Sequence, residues 1–131
     1  MIGPHEGKEL DLMLKGEKSF AMFHDIENTD QNAPEEIIPE KAFATHVKSG
    51  KIIRKEKSFK SNKSDDLIKY VCFALPDQVW RIDTFFWIKE EFFNGNQFPD
   101  DADDIIIGRM LGYSNQDIND YLVKLKQRLH L

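Results

Sequence analysis

The stretch that most constrains this chain runs from Leu67 to Leu75, LIKYVCFAL, where every residue but Lys69 is apolar or aromatic. Turn-forming residues precede it, Ser61-Asn62-Lys63-Ser64-Asp65-Asp66, and Pro76 stops it. Such a run suits a central strand. Lys51 to Lys60 suits a second strand, rich in lysine, and the polar turn between the two predicts a hairpin.

The rest of the chain must supply a cover for that hairpin. Ser19-Phe20-Ala21-Met22-Phe23 reads as a short first strand. Before it, Pro4 fits a first helical turn, Leu10, Met13 and Leu14 share a helical face, and Gly16 suits a left-handed stop. Asp25 to Glu36 holds five acids, no base and a proline, and reads as an exposed loop. Pro39 opens a helix with Phe43, His46 and Val47 on one stripe, and Gly50 closes it.

From Val79 to Phe93 the aromatics would allow a strand, but the length and the Asn94-Gly95 ending favour a helix. On that helix Val79, Ile82, Phe85, Phe86, Ile88, Phe92 and Phe93 fill one broad half, and Trp80 and Trp87 fall on the other. A short helix follows from the Asp100, Asp101, Asp103 and Asp104 cluster to Gly112. The last helix is the clearest: Ser114 caps it, Asp117 completes the capping pattern, Tyr113 is placed to staple onto Ile118, and Ile118, Tyr121, Leu122, Leu125 and Leu129 form its stripe.

The order helix, strand, helix, strand, strand, then three helices predicts an α+β fold: a small, mainly antiparallel sheet of three strands covered by helices, helix-rich in its C-terminal half. With 131 residues, 40% of them apolar and ten of them phenylalanine, one globular domain over 1–131 is expected. Cys72 is the sole cysteine, so an intramolecular disulfide, a zinc finger and a CxxC redox motif are all ruled out. The N-terminal MIGPHEGKELDLML lacks the basic start and apolar stretch of a signal peptide, and no apolar run reaches the ~18 residues of a membrane span. A cytoplasmic protein without membrane contact is expected.

The net charge of -5 is unevenly spread, because residues 41–69 hold nine bases and three acids while both flanks are acidic. Lys51, Arg54, Lys55, Lys57 and Lys60, with Lys48 and Lys63 beside them, form a candidate anion or nucleic-acid stripe. Lysines also guard an edge strand against pairing with other chains, and that reading is preferred.

Other candidates are weaker. Ile107 to Ser114 followed by Ile118 and Leu122 has helix-turn-helix spacing, but Asn115, Gln116, Asp117, Asn119 and Asp120 put carboxylates where a reading helix would meet phosphate. The four aspartates before Ile105 lack the EF-hand pattern and suit a helix start, so no metal site is expected. His5-Glu6-Gly7-Lys8-Glu9 carries glutamate where a zinc protease motif needs its second histidine. His24 beside Asp25, His46 and His130 are isolated, and Cys72 reads as a packing residue. No phosphate loop or dinucleotide fingerprint occurs, and no cofactor is expected.

Catalytic spacing is thus missing, and no catalytic residue is assignable. The expectation is a small binding or regulatory module that meets a protein partner through Trp80 and Trp87. That holds if the C-terminal helices leave their face uncovered. The alternatives are a nucleic-acid or phosphate-binding regulator using the basic hairpin near residues 48–63, and a small enzyme whose site is assembled across the fold.

Overall fold

The computed structural model describes residues 5–27, 32–61, 63–95 and 102–129, with side chains placed as far as Lys124. Its elements run α1 (Glu9–Leu14), β1 (Phe20–Ile26), α2 (Glu40–Lys48), β2 (Ile53–Lys60), β3 (Leu67–Ala74), a single 3-10 turn (Pro76–Gln78), α3 (Val79–Phe93), α4 (Ala102–Met110) and α5 (Asn115–Leu129). The fold is α+β.

The three strands lie in the order β1-β3-β2, and both outer strands pair antiparallel to β3. β1 and β2 therefore run parallel with β3 between them, a split βαβ arrangement bridged by α2. Along β3 the side chains alternate between two cores, which explains why its apolar run is unbroken. Tyr70, Cys72 and Ala74 face α3 together with Phe20, Phe59, Ile82, Phe85 and Ile88. Val71 and Phe73 face the other way, against Met13, Ala21, Ile38, Phe43 and Ile52. On that second face Phe43 stacks on Phe73 at 4.0 Å between ring centroids.

Three details differ from the sequence reading. β1 continues through His24, Asp25 and Ile26, because each finds a partner on β3 at Tyr70, Lys69 and Ile68. Backbone pairing there outweighs the polar composition. Leu14 is exposed rather than sharing the buried face of Met13, since a helix of six residues presents only one turn to the sheet. α4 starts at Ala102, so Asp103 and Asp104 occupy its first turn. Pro4, Asn62, Asp100, Asp101 and His130 lie outside the described residues, as do the side chains of Leu125 and Leu129.

α4 and α5 close the far end of the α3 face. Gly112, at φ 86°, makes the tight turn between them, and Ser114 Oγ accepts a 3.1 Å hydrogen bond from the Asp117 backbone N–H. Gly108 lets the two helices approach closely. A Cβ there would lie 2.8 Å from Ile118 Cγ1. Among the described residues, no helix is long and apolar enough to cross a membrane.

Candidate functional site

A cleft of about 390 Å³ opens where the edge of β1 meets α4, α5 and the N-terminal turn. Lys18 forms one end. It is 2% exposed, placed after the Gly16 turn by a hydrogen bond from its own N–H to the Leu12 carbonyl. Its Nζ donates to His5 Nδ1 at 2.9 Å and to the Leu111 carbonyl, and it sits 5.2 Å from the centroid of Tyr113. A buried ammonium needs such a set of acceptors. Burial still lowers its pKa to about 8, with the Glu9 carboxylate opposing.

Because His5 Nδ1 accepts that bond, its proton resides on Nε2 and the ring is neutral. Burial and then Lys18 hold its pKa below the ordinary value. The His5 ring meets the face of Tyr113 edge-on at 4.8 Å. Tyr113 is in turn pushed upward by burial and by the charges of Glu9, Glu6 and Asp117.

The opposite wall comes from the sheet and α3. His24 stacks on Tyr70 at 5.2 Å and 24°. Burial of its ring, and then Lys89, keep it below the usual histidine range. Lys89 Nζ lies 5.4–5.8 Å from the ring centroids of Phe92, Tyr70 and Phe85. Burial lowers its pKa while Asp104 and Asp103 act to raise it. Tyr70 is raised to about 12, chiefly by burial. Met22, Ile107, Leu111 and Ile118 complete the apolar part of the lining. This arrangement holds ammonium groups against rings and carbonyls, in a cleft also lined by carboxylates and tyrosines. Its two lysines are engaged internally, which suits binding better than proton transfer.

The residues singled out from sequence lie elsewhere. Trp80 and Trp87 are 54% and 53% exposed on α3. Arg81 stacks on Trp80 at 4.8 Å while its Nη1 donates to the Met110 carbonyl at 3.0 Å. Beside the tryptophans, Asp83 pairs with Lys55 at 2.9 Å and Glu90 with Lys57 at 3.4 Å.

The basic stripe is therefore interleaved with acids. Arg54 is gripped by both oxygens of Glu40, at 2.8 and 2.6 Å, and reaches Glu56 at 3.0 Å. Lys60 stands 3.9 Å from Asp65, and Lys51 is exposed on the loop before β2. His46 is half-buried on α2. Cys72 is fully buried in the sheet, and burial pushes its thiol far above the ordinary value. Among the described residues, no three histidine, cysteine or acidic side chains gather where they could hold a metal ion.

Sequence reasoning missed Lys18, Lys89, Tyr70 and Tyr113 as a group. They come from four separate segments, and no spacing in the chain links them. No known protein family, curated protein or solved structure matches the chain.

Proposed function

We propose that this chain is a protein-binding module whose contact surface is the outer face of α3, anchored by Trp80 and Trp87. One observation carries the reading: two large aromatics, each more than half exposed, stand two helical turns apart on an otherwise polar face. Tryptophans on a polar surface are the usual anchors of interfaces. Arg81, tied to the end of α4, holds Trp80 in place before any partner arrives, which reduces the ordering cost of binding. The Lys55–Asp83 and Lys57–Glu90 pairs supply a self-neutralised rim, so the matching partner surface offers apolar pockets for the indoles and little net charge.

The same ion pairs count against the basic stripe as a phosphate track, because four of its five cations already face carboxylates. A reducing, cytoplasmic setting accompanies this reading, supported by a single buried thiol.

The test is capture followed by reconstitution. A protein retained by the wild-type chain, once purified, should shift the two indole N–H resonances and leave the backbone amide resonances of the cleft in place. Trp80→Ala with Trp87→Ala should preserve the thermal midpoint and weaken binding by about 2 kcal/mol or more per anchor. Undiminished binding by the double variant would refute the reading. Sedimentation of the chain alone decides whether the partner is a second copy.

A further inference from the structure

The cleft beneath α4 and α5 lies apart from the tryptophan face, and its lining has a definite chemical bias. Four carboxylates, Glu6, Glu9, Asp104 and Asp117, line it against two ammonium groups, Lys18 and Lys89. Burial lowers the pKa of both histidines near it. The walls thus carry an excess of negative charge.

The distribution of partners sharpens that bias. Lys18 spends its donors on His5 and the Leu111 carbonyl, and Lys89 lies among three rings with Asp103 and Asp104 nearby. Among the described residues, Glu6, Glu9 and Asp117 take no part in an ion pair. Those three carboxylates line the cleft together with Tyr113 and the apolar surface of Ile107, Leu111 and Ile118. An anionic ligand would meet repulsion there, and a neutral one would leave the carboxylates desolvated without compensation. A cation with an apolar body satisfies both halves of the lining, since aromatic faces and carboxylates together are the usual receptor for ammonium.

We propose that this cleft binds a small organic ammonium ion, its charge set between Glu9, Asp117 and the ring of Tyr113 and its hydrocarbon part against Ile107, Leu111 and Ile118. The cavity volume falls within the range of small-molecule sites. Lys18 acts as a positioning residue, fixing the Tyr113 ring and the α4–α5 turn that carries it.

Titration of the full chain with phenethylammonium, its neutral counterpart 2-phenylethanol and the anion 3-phenylpropionate, read by calorimetry and by the amide resonances of Gly108, Gly112 and Tyr113, tests the proposal. The ammonium should bind saturably, at least tenfold more tightly than the alcohol, with the anion weakest. Glu6→Gln with Glu9→Gln should lower that affinity tenfold or more without moving the thermal midpoint. Asp117→Asn, on another element, should lower it independently. The Trp80→Ala, Trp87→Ala variant should keep it, which separates this site from the α3 face. Equal binding of alcohol and ammonium, preference for the anion, or no saturable binding by phenethylammonium would overturn the proposal.

Discussion

Lys18 shows how much a single position can depend on the whole fold. In the unfolded chain its ammonium loses a proton near 10.5, and in the folded chain near 8. Between those values the unfolded state binds more protons, so this group's contribution to stability rises with pH across that window. The cost of its buried charge is present in full below pH 8 and is relieved by about 10.5. Tyr70 acts oppositely: its folded pKa is raised to about 12 from 10, so stability from that group is lost between those values. Lys18→Met isolates the first effect. In denaturant titrations the wild type should gain roughly 2–3 kcal/mol over the variant between pH 8 and 10.5, and a flat difference would refute the assignment. Gly108 gives a second residue-level expectation. Alanine favours helix by about 1 kcal/mol, but its Cβ would press on Ile118 near the branch point rather than at a flexible tip. Overpacking of this kind costs about 1–3 kcal/mol. Gly108→Ala should therefore lower the denaturation midpoint, and Ile118→Ala in the same chain should remove most of that penalty, as a double-mutant cycle would show. Neither role is visible in sequence: a lysine between a glycine turn and a strand, and a glycine inside a helix, acquire meaning only from what packs against them.

Whole elements were far more legible than single contacts. α5 announces itself by periodicity and capping, because the 3.6-residue repeat survives regardless of which neighbour buries the stripe, whereas α3, whose aromatics also suit a strand, is read as a helix from its length and its Asn94-Gly95 ending. α5 also gives a graded test. Ser114→Ala removes the bond to the Asp117 N–H and should cost about 1 kcal/mol, while Leu122→Ala, at a buried position, should cost roughly 2–5 kcal/mol. Equal, small losses at both positions would mean that α5 is held by its own propensity and not by packing. For α3, tryptophan emission should lie near that of free indole and be quenched readily by acrylamide, and blue-shifted, protected emission would contradict the exposed face. β1 was legible only in its first half. Phe20 to Phe23 carries strand chemistry, whereas His24-Asp25-Ile26 is strand because β3 lies alongside.

At the scale of the molecule, the α+β class followed from the order of elements, and the central place of β3 from its apolar run. The cleft did not follow from either. Its lining joins the N-terminal turn, β1, β3, α3, α4 and α5, and nothing in a linear pattern records which of these end up adjacent. The edge role of β2 was legible, since its lysines suit an exposed strand, but their pairing with acids on α3 was not. Replacing Lys55 and Lys57 with threonine should raise aggregation, measured by light scattering, because the edge loses its charge guard. Salt-dependent binding of wild type to DNA, lost in the same variant, would instead revive the phosphate reading.

The strand order also dictates a sequence of events in time. β2 meets β3 across a turn of a few residues, whereas β1 must return across a loop of about forty to reach the same strand. The hairpin can close early and cheaply, and β1 docks late, after the entropy of that long loop has been lost. Met22 and His24 arrive with β1, so the cleft comes into being only in this last step. Any ligand seated there holds the returning strand in place, and the amides of β1 should be the sheet's first to exchange with solvent when the ligand leaves.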